Sequence, residues 1–174
     1  MLDDFYEEAE FPLAYLLTFR TFGTWLHGDS RGSIARNGTV ISGPKKIDPN
    51  VPLLEAMSEK SKQAAVQFEQ AQRKIVTEAI REVCVYREYM LHAVNVRSIH
   101  THAVISKAVK PEKIVNDLKA YSTRRLREEW RFGSNERVWS RGASTRYLWK
   151  PRHLAGAIDY VLYCQEDIPF DFKG

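Results

Sequence analysis

His100 and His102 are two of the chain's five histidines and stand one residue apart. Imidazole nitrogens are ligands for divalent metals, so the first question is whether both can reach one ion. The flanking runs, Met90-Leu91-His92-Ala93-Val94-Asn95-Val96 and Ala103-Val104-Ile105, are apolar and rich in β-branched residues, a pattern that favours strand. On a strand, residues two apart project from the same face, about 7 Å from each other. The spacing therefore puts both imidazoles on one face and Thr101 on the other. By itself such a pair serves packing or solvent as readily as a metal.

A second chemistry is spread over residues 119–152. Lys119, Arg124, Arg125, Arg127, Arg131, Arg137, Arg141, Arg146, Lys150 and Arg152 are interleaved with Tyr121, Trp130, Phe132, Trp139, Tyr147 and Trp149. Basic side chains answer phosphates, and aromatic rings offer bases a stacking surface. A solvated helix face followed by an aromatic-rich strand has the same composition. The net charge of +4 permits a nucleic-acid partner without requiring one.

The elements that must position these groups follow from periodicity. Residues 13–22 read as a first strand. Gly-, Ser-, Asn- and Pro-rich sequence over 23–52 reads as a long loop insertion with room for a short hairpin, in which His27 and Asp29 are turn residues. Ala64, Phe68, Ala71, Ile75, Ala79 and Val83 recur at helical steps, so a helix is expected from about Pro52 to Tyr86, with room for a break near Ser58–Ser61. Strands over 89–96 and 100–109 follow, joined closely enough to form a hairpin. Pro111 opens a second helix that ends near Gly133. A fourth strand, kinked at Gly142, covers 137–149, and Pro151 starts a last helix with the stripe Leu154, Ala157, Ile158, Val161 and Leu162. The order β-α-β-β-α-β-α predicts an α+β fold, a ferredoxin-like split βαβ antiparallel sheet with an additional C-terminal helix. No repeat or linker divides it, so residues 1–174 are expected to form a single domain with its core over about 12–166.

Hydrophobic residues make up 44% of the chain and charged residues 28%, proportions of a folded globular protein rather than a disordered one. No apolar run has transmembrane length, so no membrane partner is expected. The opening Met1-Leu2-Asp3-Asp4 is acidic, unlike a secretory leader. Cys84 and Cys164 lie far apart with no zinc or redox spacing. They are expected to be reduced, in a cytoplasmic protein.

His100-Thr101-His102 on a central strand resembles the HUH motif. The resemblance extends to the helix Val115-Asn116-Asp117-Leu118-Lys119-Ala120-Tyr121-Ser122-Thr123-Arg124-Arg125-Leu126, to Val138-Trp139-Ser140-Arg141-Gly142, and to Ala157-Ile158-Asp159-Tyr160-Val161. Over roughly residues 12–166 the chain is similar to the single-tyrosine HUH transposases of the smallest bacterial insertion sequences (IS200-like) and their relatives associated with repetitive extragenic palindromes. The resemblance implies a metal-dependent enzyme that nicks and joins single-stranded or hairpin DNA. It implies a divalent metal, Mg or Mn, and a tyrosine that forms a covalent 5′-phosphotyrosine and leaves a free 3′-OH. It also implies a possible homodimer, in which some members donate the tyrosine across the interface.

Tyr160 matches the family's nucleophile. Helix geometry agrees, because Tyr160 lies about 130° from the centre of the apolar stripe; Tyr163, one turn on, is the alternative. His100 and His102 match the metal ligands. The family's third ligand is a Gln or Asn four residues after the tyrosine, where this chain has Cys164. Gln165 follows, about 140° around the helix from Tyr160, and can ligate only if the helix end is distorted. Lys119, Arg124, Arg125, Arg127, Arg141 and Arg146 are the expected DNA contacts. A catalytically silent single-strand binder of the same fold uses the same surface. An RNA-recognition module shares the topology, but this chain lacks the aromatic-rich motif of such modules.

Overall fold

The computed structural model describes residues 10–24, 33–34, 46–47, 50–52, 55, 63–130 and 132–164. His27, Asp29, Arg131 and Gln165 lie outside them. Its strands are β1 (Ala14–Arg20), β2 (Ser33–Ile34), β3 (Lys46–Ile47), β4 (Met90–Val96), β5 (His100–Ser106) and β6 (Ser144–Leu148). Its helices are α1 (Gln70–Tyr86), α2 (Pro111–Trp130) and α3 (Pro151–Tyr163). Four strands form one sheet in the order β4-β5-β1-β6, with every neighbouring pair antiparallel. This is the strand order of the ferredoxin-like split βαβ sheet expected from the sequence. β2 and β3 pair separately inside the loop insertion.

The alternation of β5 divides the interior in two. Ala103 and Ile105 join Tyr15, Leu17 and Phe19 of β1 in a core covered by α1 and α2. Val104 faces the other way and packs with Ala14, Leu148, Ala157 and Val161 beneath α3. The period of two thus sends the histidines toward α3. Thr101 goes to the opposite face, where its buried hydroxyl has no hydrogen-bond partner among the described residues.

α1 begins at Gln70; Val51, Pro52 and Glu55 are also helical, as expected near Pro52, but residues 64–69 before α1 are not. Residues 64–69 continue the 3.6-residue pattern, yet their backbone is used elsewhere. Val66 N–H donates to Phe22 O at 2.8 Å and Phe68 N–H to Ser98 O at 2.7 Å. Gln72 Oε1 accepts from Glu69 N–H at 2.9 Å, which fixes the helix start. Ala64 and Phe68 are thus apolar as expected but not helical; most of the expected helix before Gln63 lies outside the described residues. The expected fourth strand divides at Gly142, whose φ is 73°. Trp139 bridges Thr21 before the break, and β6 pairs with β1 after it.

Asp117 of α2 ties the helical layer to the turn before β4. Tyr89 Oη donates to its Oδ2 at 2.6 Å, Lys113 Nζ lies 3.1 Å away and Arg87 Nε 3.6 Å away. Burial alone pushes this carboxyl up, but the hydrogen bonds from Tyr89 and Lys113 and the charges of Lys113 and Arg87 outweigh it, so its pKa falls below the usual value. A depressed carboxylate contributes stability above its unfolded pKa and loses it as pH falls through the folded one. Asp117→Asn is therefore expected to lower stability at pH 7 by about 1 kcal/mol. The difference from wild type should vanish toward pH 2–3; denaturant melts across pH check this, and a gap that persists at acid pH would contradict it.

Candidate active site

β5 presents His100 and His102 to α3 with their ring centroids 4.8 Å apart, edge to face. His102 is only 6% exposed, whereas His100 is half-buried. The pairing of β1 with β5 sets Thr18 opposite His102, and the two share a hydrogen bond of 2.9 Å between Thr18 Oγ1 and His102 Nδ1. Burial first, then the positive neighbours His100, Arg20 and Arg97, lowers the His102 pKa to about 4. At neutral pH this imidazole is uncharged, the form able to give a lone pair to a metal. With Nδ1 engaged by Thr18, Nε2 is the nitrogen left for a ligand. Nothing local in the sequence marks Thr18; only the β1–β5 register brings it to His102.

α3 closes the same face. Val161, Ala157 and Leu154 lie against the sheet, so the helix turns Tyr160 outward along its edge at 42% exposure. Its ring is 5.7 Å from that of His102 in the same chain, edge to face. Tyr163 is 61% exposed. Asn95, paired across β4–β5 with His102, donates through Nδ2 to Val161 O at 3.2 Å. That bond satisfies a last-turn carbonyl and fixes the tyrosine-bearing turn over the histidine strand.

His100 and His102 are suitable as half of a divalent-ion site: same face, adjacent rings, one of them held neutral and oriented. Among the described residues no group of three or more His, Cys, Asp or Glu side chains could complete it. Cys164 caps α3, exposed, with its N–H on Tyr160 O at 3.2 Å.

The basic residues separate into three settings. Lys119 Nζ donates to Ser140 O at 2.9 Å and to Gly142 O at 2.6 Å, and burial lowers its pKa to about 8; it latches α2 to the segment before β6. Arg125 is bound to both carboxylate oxygens of Glu82 at 2.6 and 2.7 Å, which joins α2 to α1. Arg124, Arg127 and Arg141 line an open groove of about 940 Å³ with Arg137 and Trp139, although Glu128 and Glu136 share it. Arg146 lies on the other face of the sheet, in a cleft that reaches Tyr160.

Residues 57–161 match the family described as Transposase IS200 like. Among solved structures, a REP-associated tyrosine transposase bound to a REP hairpin aligns at a TM-score of 0.50 with 10% identity, covering 92% of this chain and 71% of that one. A transposase candidate from Deinococcus radiodurans R1 aligns at 0.44 with 12% identity, covering 91% and 95%. No curated protein matches the sequence. Among the described residues no helix is long and apolar enough to cross a membrane.

Proposed function

The chain belongs to the IS200-like transposase family, and on that premise we propose that it nicks and rejoins single-stranded or hairpin DNA through a covalent phosphotyrosine. The observation that carries this is the convergence of His100, His102 and Tyr160 on one face of one chain, with rings 4.8 and 5.7 Å apart. Tyr160 Oη gives up its proton and attacks phosphorus. The bond from phosphorus to the 3′ oxygen breaks, that oxygen takes up a proton as a free 3′-OH, and the 5′ side stays on the tyrosine. Attack by a 3′-OH on the phosphotyrosine reverses each change and restores the phenol. α3 holds the nucleophile at the edge of the sheet, where a strand can enter without displacing the core.

His100 and His102 would hold a divalent ion, magnesium or manganese; Gln165, one residue past the family's third-ligand position and outside the described residues, would join them only if the end of α3 were distorted. When bound, it supplies polarisation of the non-bridging phosphate oxygens. Incubating the protein with Mn²⁺ and labelled hairpin DNA should give a denaturant-resistant protein–DNA adduct; no adduct with any hairpin or metal would leave binding as the chain's only activity.

Two further results are expected. Thr18→Val should weaken Mn²⁺ binding by roughly tenfold or more while the fold persists, because the valine can no longer fix the His102 tautomer. Calorimetric titration of the metal alone measures this, and unchanged affinity would remove Thr18 from the site. Arg124→Ala should also lower the salt slope of DNA binding by about one unit, since the side chain lines the open groove. Arg125→Ala should leave the slope unchanged and lower stability by about 1 kcal/mol, because its guanidinium already serves Glu82 and Glu129. Equal slopes for both variants would contradict this division.

A further inference from the structure

The cleft between β6 and α3 has about 930 Å³ and is lined in part by Tyr160. Arg146 and Ser144 line it from the strand, and Arg152, His153 and Gly156 from the helix. No acidic side chain lines it among the described residues, in contrast to the groove beside α2. Arg146, Arg152 and His153 are all exposed. At helical spacing, His153, Gly156 and Tyr160 occupy one face, three and four residues apart. Gly156 is within a 13-residue helix, where glycine is the least favoured residue after proline. Packing does not explain it, because a Cβ built there meets nothing within 4 Å. The helix wall therefore carries no side chain at Gly156, between His153 and the phenol.

We propose that this cleft is the channel for the single-stranded DNA backbone at the cleavage site. Arg146, Arg152 and His153 hold phosphates neighbouring the scissile one, and the backbone crosses α3 over the bare surface at Gly156 to bring that phosphate to Tyr160. Two guanidinium groups and an imidazole beside a helix surface open at Gly156 suit a sugar–phosphate chain. The inference rests on the transposase reading for the reaction, though not for the binding.

The test uses the full chain with fluorescent oligo(dT) and with the hairpin substrate. Gly156→Leu places a branched side chain in open space and improves helix propensity, so its melting temperature should equal or exceed the wild type's. It should bind oligo(dT) at least tenfold more weakly and form adduct more slowly to match, with Gly156→Ala between the two. Arg152→Glu, a surface change that leaves the helix intact, should lose affinity similarly. Wild-type affinity in Gly156→Leu and Arg152→Glu would overturn the channel, and if both variants also form adduct at the wild-type rate, the transposase reading survives without it. If the wild type forms no adduct but the binding losses appear, the channel stands and the transposase reading falls.

Discussion

Tyr160→Phe is expected to abolish covalent DNA attachment, by about a thousandfold or more, while DNA and metal binding remain near wild type. The substitution removes one oxygen and keeps the ring. The edge-to-face contact with His102 at 5.7 Å is between ring carbons and imidazole, so it survives. Tyr160 is off the apolar face of α3, which makes any change in stability small, within about 0.5 kcal/mol. The complementary variant, His100→Ala, should keep the nucleophile but bind Mn²⁺ weakly and cleave little. Because Tyr160 and His102 meet within one chain, a mixture of Tyr160→Phe and His100→Ala proteins should remain inactive; recovery on mixing would show that the tyrosine acts across a dimer. An adduct that persists in Tyr160→Phe and disappears in Tyr163→Phe would move the nucleophile one turn along α3.

How far this was legible in the sequence depended on the range of the interaction. The faces of His100, Thr101 and His102 followed from strand alternation, because a period of two leaves no choice once β5 is a strand. The outward position of Tyr160 followed from its angle to the stripe Leu154, Ala157, Ile158, Val161 and Leu162. Contacts across the sheet did not follow. Thr18 and Asn95 reach His102 and the Val161 carbonyl only through register, and register depends on how distant strands meet. The charges were legible as composition and misleading as placement. Lys119 and Arg125 stand in the same basic run as Arg124 and Arg127, yet they bond to Ser140, Gly142 and Glu82 within the fold. The segment over 64–69 failed for a related reason: its helical period was real, but its N–H groups had better partners at the ends of β1 and β4.

That segment also sets the largest expected loss of stability. Gly23 follows β1 with φ at 74°, and a Cβ there would stand 2.9 Å from Ala65 Cα. Two costs add. An alanine in the left-handed region is strained by about 1 kcal/mol. The contact is with backbone, so relief requires moving the strand of chain around Ala65, which carries Val66 and Phe68 into the main core. Phe68 in turn supports Trp139, edge to face at 5.3 Å, and Gln63 bonds Arg137 in both directions at 2.8 Å, so the shift reaches the segment leading to β6. Overpacking of this kind costs roughly 1–3 kcal/mol. Gly23→Ala is thus expected to destabilise by about 2–4 kcal/mol, lowering the melting temperature by roughly 5–15 °C for a chain of this size. Gly23→Asn separates the two costs, since asparagine tolerates positive φ but still carries a Cβ. If close approach to Ala65 dominates, Asn should be nearly as damaging as Ala; a melting temperature for Gly23→Asn close to wild type would assign the loss to backbone strain alone.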